Sequence, residues 1–112
     1  MIEEYSFGFI KINGQVYNHD VQIDLDGKVR LWWRNKSHEI GRREIEEVLG
    51  QKPEAIVIGT GEMGAAKAMD EAQQAITSKG IKLVIEPTAE AVKSFNSLGK
   101  DKKVAGLFHL TC

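Results

Sequence analysis

The sequence has little cysteine and little proline: one Cys, at position 112, and two Pro among 112 residues. Because a disulfide needs two cysteines, the chain cannot carry the framework on which disulfide-rich secreted domains depend. Its longest apolar stretches, at 55–58 and 83–85, are far shorter than the roughly 20 residues of a membrane span. The first residues are acidic, where a signal or transit peptide would be basic. These absences favour a cytoplasmic protein that does not enter a membrane.

An excess of charge of either sign is also lacking. Fifteen Lys and Arg side chains stand against sixteen Asp and Glu, which gives a formal net charge of -1. A protein that binds nucleic acid through a phosphate-neutralising basic face would carry more positive charge, so this class is excluded. The length suits one domain over residues 1–112, with a β-meander over 1–36 and a helix plus a βαβαβ unit over 37–112.

The first third of the chain alternates apolar and polar residues and contains two hairpin signals, Asn13-Gly14 and Asp26-Gly27. It predicts an antiparallel meander with strands at 7–12, 15–17, 21–25 and 29–33. Trp32 and Trp33 are adjacent on the last of these strands, so one should enter the core and the other should face outward. An outward Trp near Arg34 could anchor a partner, although such a residue more often packs beneath a helix.

The remainder of the chain predicts helices and buried strands in alternation. A helix contains Ile45, Val48 and Leu49 and ends at a left-handed Gly50. A second has Ala65 to Ile76 along one side and ends at Gly80, and a third has Thr88 as its N-cap. Buried strands are expected at 55–59 and 81–85, and a last strand at 104–110 in either direction. We therefore predict an α/β fold, a single three-layer domain in which the meander and the βαβαβ unit form a mixed sheet.

A glycine loop at 59–64 offers the strongest apparent motif. Its residues, Gly59, Thr60, Gly61, Glu62, Met63 and Gly64, match G-x-G-x-x-G after a buried strand, and Glu86 stands where a dinucleotide fold keeps its ribose-binding acid. Against this, Glu62 would repel a phosphate, and one βαβ unit is half of a dinucleotide crevice. The alternative is a tight turn that needs glycine for its backbone angles. We predict no bound cofactor and keep these six residues as a candidate ligand loop.

Candidate catalytic groups are few: Glu62 as a general acid or base, and Cys112 as a nucleophile activated by His109. The alternative for the last pair is a half-buried His and a small apolar thiol on the final strand. A zinc site usually takes four ligands from paired Cys or His motifs, which one cysteine cannot supply, so we predict no metal site.

Three segments together carry a family resemblance: Val57-Ile-Gly-Thr-Gly61, Glu90-Ala-Val-Lys-Ser-Phe-Asn-Ser-Leu98 and Val104-Ala-Gly-Leu-Phe-His-Leu-Thr-Cys112. The chain resembles a small family that includes the vertebrate adipogenesis-associated domain protein, hypothetical proteins of archaea and bacteria and, more distantly, an assembly factor for mitochondrial respiratory complex I. The resemblance implies a three-layer α/β fold with a mixed sheet, no established enzymatic activity and no known cofactor. Members keep the first two glycines of the loop but not reliably the third.

Two functions remain open from the sequence. The first is a non-catalytic accessory or assembly-type protein-interaction module, whose partner is a protein and which could form a homodimer. The alternative is a protein that binds a small molecule or an anion at the loop 59–64 and that could also act on it as an enzyme.

Overall fold

The computed structural model describes residues 1–36 and 38–112, and the boundary expected at residue 37 lies outside them. The described residues form these elements in chain order: β1 (Ile2–Ser6), β2 (Phe9–Ile12), β3 (Gln15–Tyr17), β4 (Val21–Ile23), β5 (Val29–Leu31), β6 (Glu39–Ile40), α1 (Arg42–Gly50), β7 (Ala55–Thr60), β8 (Lys67–Ala68), α2 (Asp70–Thr77), β9 (Lys82–Glu86), α3 (Thr88–Leu98) and β10 (Val104–His109). None of the helices in these two ranges is both long and apolar enough to cross a membrane.

The central sheet has five strands in the order β5-β4-β10-β7-β9. Strand β10 runs parallel to β7 and antiparallel to β4, and β9 runs parallel to β7. The predicted α/β fold with a mixed sheet is therefore confirmed, and the direction of the last strand is now known. The β7-α2-β9-α3-β10 segment is the predicted βαβαβ unit.

Two hydrophobic cores lie on opposite faces of this sheet, which gives the three predicted layers. On one face, helices α1 and α2 cover alternate residues of β7 and β10, among them Ile56, Ile58, Ala105 and Leu107. On the other face, Val57 and Phe108 pack against α3 and against a second sheet of order β1-β2-β3. The ring of Phe95 from α3 stands edge-on to the ring of Phe108, with centroids 5.6 Å apart.

The antiparallel hairpins predicted for the meander are present, but their strands are divided between the central sheet and the sheet of β1, β2 and β3. Strands β2 and β3 pair through the Asn13-Gly14 turn in the smaller sheet, whereas β4 and β5 belong to the central one. The smaller sheet also contains β1, which the sequence analysis does not predict. A side-chain amide holds this strand: Asn96 Nδ2 donates to the Ile2 carbonyl at 2.8 Å, and Asn96 Oδ1 accepts from the Ile2 N–H at 3.0 Å.

The helix predicted from Ala65 begins instead at Asp70. Its expected first turn is extended because other segments use its N–H groups: Ala66 donates to the Thr60 carbonyl at 3.1 Å, and Lys67 donates to the His38 carbonyl at 2.9 Å. Residues 67–68 form β8, paired in parallel with β6. Tertiary hydrogen bonding here overrides the helical spacing of the alanines.

Three local expectations are wrong in detail. Gly50 is the last residue of α1, and the left-handed residue that follows this helix is Lys52, with φ of 59°. Thr88 is the first residue of α3 rather than its N-cap, a position that Pro87 takes. Strand β9 is an edge strand, so its residues are partly exposed rather than buried on both faces.

A buried polar network joins β4 and β5 to α1. The Asp24 carboxylate accepts hydrogen bonds from Gln22 Nε2 at 2.8 Å, Gln51 Nε2 at 3.0 Å and Arg30 Nε at 2.6 Å. Burial alone would raise the pKa of Asp24, but these donors and the charge of Arg30 hold it below the ordinary value of 3.8.

Replacing Asp24 with alanine should lower the free energy of unfolding by about 2 kcal/mol, because the donors from Gln22 and Gln51 lose their acceptor. The measurement is urea denaturation at neutral pH. The matched control is Asp101→Ala at an exposed turn, which should change stability by less than about 0.5 kcal/mol. Equal effects at the two positions would contradict a stabilising role for the network.

Candidate functional site

The parallel strands end at one edge of the central sheet, which we call the carboxyl edge: it comprises the strand ends His109, Thr60 and Glu86 and the glycine loop 59–64. In the strand register His109 lies beside Thr60, and Gly59 lies beside Glu86. Open α/β sheets generally bind ligands at this edge. The sequence-predicted site residues are therefore close to the position where a ligand site would be expected.

The start of α3 and the chain after β10 accept hydrogen bonds from backbone N–H groups in the glycine loop and directly after it. The Gly61 N–H donates to Thr88 Oγ1 at 2.8 Å, and the Glu62 N–H donates to the Thr111 carbonyl at 2.6 Å. The Ala65 N–H donates to the Cys112 carbonyl at 3.2 Å. A phosphate on this loop would need such N–H groups to be free.

The glycines of the loop are explained by backbone geometry. Gly61 has φ of 103°, a conformation that residues with a side chain rarely adopt, and a Cβ there would lie 2.5 Å from the Cys112 carbonyl carbon. Gly64 is also left-handed, with φ of 69°. The loop leads into the short strand β8 and not directly into a helix. These features support the turn interpretation, and small-molecule binding at the loop stays a prediction.

Glu62 is an exposed carboxylate that contacts β1. Its Oε1 lies 3.0 Å from the Tyr5 hydroxyl, which also lies 3.2 Å from the Leu110 carbonyl. Burial and the hydrogen bond to Glu62 raise the pKa of Tyr5 above its ordinary value of 10.0. A cavity of about 400 Å³ beside the loop is lined by Thr60, Met63 and other residues, and Glu62 is not one of them.

His109 is buried in a polar cluster that the sequence analysis does not predict as a unit, the Asp20–Arg34–His109 cluster. His109 Nδ1 lies 2.8 Å from Asp20 Oδ2, and Asp20 Oδ1 accepts the Leu110 N–H at 2.9 Å. Arg34 Nε lies 3.2 Å from Asp20 Oδ2, and the Arg34 guanidinium stands over the Trp32 ring at 5.0 Å.

Burial raises the pKa of Asp20, but the hydrogen bonds from His109 and from the Leu110 N–H, with the charge of Arg34, outweigh it and leave the pKa below 3.8. His109 Nδ1 lies within 3.1 Å of Arg34 Nη2 as well. This nitrogen can donate to Asp20 or accept from Arg34, and one tautomer cannot do both. The cluster ties the end of β10 to the chain before β4 and after β5, which is a structural role.

Cys112 has a different histidine neighbour from the one predicted. Its Sγ lies 3.8 Å from His38 Nε2, and both residues are exposed. His109, only 5% exposed at its side chain, makes its contacts with Asp20 and Arg34 instead. His38 precedes β6, and the pairing of β6 with β8 brings it close in space to the last residues of the chain. This contact is long-range and has no local sequence signal.

The three candidate catalytic residues do not share a cavity. His109 lines a cavity of about 340 Å³ with Thr111, Arg34 and Trp32, and neither Glu62 nor Cys112 belongs to that lining. No group of three or more His, Cys, Asp or Glu that could hold a metal ion occurs in the described part of the chain. A catalytic role for Glu62, His109 or Cys112 therefore stays a prediction.

A second feature is the open side of β5, the β5 edge, which comprises Val29, Leu31 and Trp33. The Trp32 N–H donates toward β4, to the Asp20 carbonyl at 3.0 Å. Because successive N–H groups of a strand alternate in direction, those of Leu31 and Trp33 point away from β4. Leu31 is 63% exposed and Trp33 is 58% exposed, whereas Trp32 is 3% exposed. The expectation of one inward and one outward Trp is confirmed.

Comparisons with known proteins agree on the fold. A family model described as "Protein of unknown function (DUF498/DUF598)" matches residues 2–109. A conserved hypothetical protein from Pyrococcus horikoshii is 27% identical with a TM-score of 0.89, over 100% of this chain and 99% of that one. A protein named MT938 is 29% identical with a TM-score of 0.85, over 100% and 98%. A Mth938-like domain from Bordetella pertussis, 16% identical, has a TM-score of 0.70 over 98% and 85%.

Proposed function

The chain belongs to the DUF498/DUF598 family of proteins of unknown function, and on this premise we propose that it is a non-catalytic protein-interaction module. The observation that carries the proposal is the β5 edge. It is an outer strand of the central sheet with two large apolar side chains, Leu31 and Trp33, exposed beside main-chain groups that have no partner strand within residues 1–36 and 38–112. Such an edge is a template for pairing with a strand of another chain.

The partner that fits this edge by its own geometry is a second copy of the chain. In an antiparallel pair related by a two-fold axis, Leu31 of one copy would lie opposite Leu31 of the other. Val29 of each copy would then lie opposite Trp33 of the other copy. All three residues direct their N–H and C=O groups outward, so every pair would exchange two hydrogen bonds, and the apolar side chains would meet across the pair.

Electrostatics along the strand permit this pairing. Arg30, between the outward positions, is occupied on its own chain by Asp24 at 2.6 Å and by Glu47 at 3.8 Å. Arg34, beyond Trp33, is paired with Asp20. Both arginines near the β5 edge therefore have carboxylate partners within the same chain, which limits the repulsion that they would cause between two copies.

Family kinship supports the same class of function. We propose that the family includes the vertebrate adipogenesis-associated domain protein and, more distantly, the complex I assembly factor that the chain resembles. An assembly factor acts by binding other proteins, so the kinship favours a partner-binding role, although a fold alone does not fix a function. We further propose a reducing compartment, the cytoplasm, because the single Cys112 cannot form a disulfide within the chain.

The test is sedimentation equilibrium of the purified chain over a range of concentrations. The wild type should pass from a mass of 12.5 kDa toward twice that value. Leu31→Lys should weaken self-association about tenfold or more, because it removes an apolar contact and sets two like charges opposite each other.

The matched control is Val16→Lys, an exposed apolar residue on β3, the outer strand of the smaller sheet. This variant should dimerise as the wild type does. A wild type that stays monomeric at all concentrations, or a Val16→Lys variant as defective as Leu31→Lys, would contradict pairing through the β5 edge.

A further inference from the structure

A cavity of about 740 Å³ lies at the end of the sheet opposite to the carboxyl edge. One side of it follows α1 from Arg42 to Gly50, and the other residues of its lining come from the segment before β7 and the segment between α2 and β9. Its apolar lining is provided by Leu49, Pro53 and Ile81. This volume is within the range of small-molecule pockets, roughly 300–1,000 Å³.

Positive charge surrounds this apolar lining. Arg42, Lys52 and Lys79 line the cavity together with a single carboxylate, Glu46. Glu46 is the ion-pair partner of Arg42, with Oε2 4.0 Å from Nε. Neither Lys52 nor Lys79 has an ion-pair partner within residues 1–36 and 38–112. The cavity therefore holds two cations that no carboxylate of the described chain neutralises.

The backbone at Lys52 is a second, independent observation. This residue has φ of 59°, the left-handed conformation in which a helix usually places glycine. A lysine there is less favourable than glycine. The left-handed turn sets the side chain of Lys52 at the cavity, where it faces the same space as Lys79.

The helix ends do not cancel this charge. The C-terminal end of a helix carries about half a negative charge from its free carbonyl groups. Here the last carbonyls are engaged: the Lys52 N–H donates to the Leu49 carbonyl at 3.1 Å, and the Gly80 N–H donates to the Thr77 carbonyl at 3.0 Å. Two full lysine charges therefore dominate the local field.

We infer that this cavity binds a small amphipathic anion, a molecule with an apolar body and one carboxylate or phosphate head. The apolar body would pack on Leu49, Pro53 and Ile81, and the head would bind the two lysine ammonium groups. The site is separate from the β5 edge, so ligand binding and self-association are independent functions of the same chain.

The experiment is NMR titration of the ¹⁵N-labelled chain with decanoate below its micelle concentration. Saturable shifts should appear at the ends of α1 and α2 and at the starts of β7 and β9. Decanol, which lacks the charge, and inorganic phosphate, which lacks the apolar body, should each bind about fivefold more weakly or worse. Decanol binding as tightly as decanoate would overturn the role of the lysines, and shifts confined to Leu31 and Trp33 would overturn the location.

Substitutions distinguish effects on ligand binding from effects on folding stability. Lys52→Gly should weaken decanoate binding about fivefold and yet raise the midpoint of thermal unfolding, because glycine relieves the left-handed backbone. Lys79→Gln should weaken binding to a similar degree, whereas Lys100→Gln, outside the cavity lining, should leave it unchanged. Equal affinity in all three variants would show that decanoate binds without the two lysines and would contradict the inference.

Discussion

Replacing Asp20 with alanine is expected to lower the free energy of unfolding by about 3 kcal/mol, because two buried nitrogen-bearing side chains lose their acceptor. The Asp20 carboxylate accepts the Leu110 N–H, pairs with Arg34 and lies 2.8 Å from His109 Nδ1. The side chains of His109 and Arg34 are each 5% exposed, so water cannot easily replace the carboxylate. Urea denaturation measures the loss, and Asp101→Ala, at an exposed turn, should leave stability almost unchanged.

The same carboxylate predicts a pH dependence. Asp20 has a lower pKa in the folded chain than the ordinary value of 3.8, so the folded state takes up its proton less readily than the unfolded state. The stabilisation is therefore complete above the unfolded pKa and is lost as the pH falls through the folded pKa. Wild-type stability should decline below about pH 4, and Asp20→Asn should decline less steeply. Parallel pH profiles would contradict the assignment.

Replacing Gly61 with valine should be at least as damaging, with an expected loss of about 4 kcal/mol. Valine would have to adopt φ of 103°, and its Cβ would lie 2.5 Å from the Cys112 carbonyl carbon and 2.6 Å from the Thr111 carbonyl oxygen. These are backbone atoms and cannot rotate away. The loop and the chain after β10 would have to separate, with loss of the Glu62–Thr111 hydrogen bond.

Gly64→Ala is the matched control in the same loop. Its Cβ would meet Pro87 Cγ at 3.4 Å, an ordinary contact, so only the left-handed backbone opposes it and the expected cost is about 1 kcal/mol. Thermal and urea unfolding measure both variants. If the loop instead served a dinucleotide, Gly61→Val would keep its stability and lose binding of NAD(H) in isothermal titration, and that result would contradict the turn interpretation.

The architecture was predictable because its signals are local. The apolar run at 55–59 and the hairpin glycines each determine their own strand or turn, and the order of elements then limits the topology. The adjacent tryptophans follow from strand alternation in the same way. What strand alternation cannot indicate is the partner of each strand, so the division of the meander between two sheets was not foreseen.

The misplaced helix start has a long-range cause. Ala65 and Ala68 have the spacing of a helix, but between them the Ala66 N–H donates to the Thr60 carbonyl and the Lys67 N–H donates to the His38 carbonyl, and both acceptors lie outside the predicted helix. Strand β1 was missed for a related reason, since the side chain of Asn96 holds Ile2 in place from α3. Local propensity contains no information about either contact.

The residues of the candidate functional site could likewise be predicted only in part, because long-range contacts bring them together. The sequence singled out His109, but the residues that determine its chemical environment, Asp20 and Arg34, come from the chain on either side of a hairpin. The sequence likewise indicated His109 as the neighbour of Cys112, whereas in the structure the neighbour is His38. The lysine-lined cavity joins α1 and the residues after it to the segment between α2 and β9, and no sequence motif connects them.

Amide hydrogen exchange at Leu31 and Trp33, measured by NMR at rising protein concentration, tests the β5 edge most directly. In the single chain these two N–H groups point away from β4, toward the open edge, and should exchange rapidly. Pairing of two copies would slow exchange at these two positions as concentration increases, while the exposed outer strand β9 stays unchanged. Exchange at Leu31 and Trp33 that is independent of concentration would contradict the proposed interaction module.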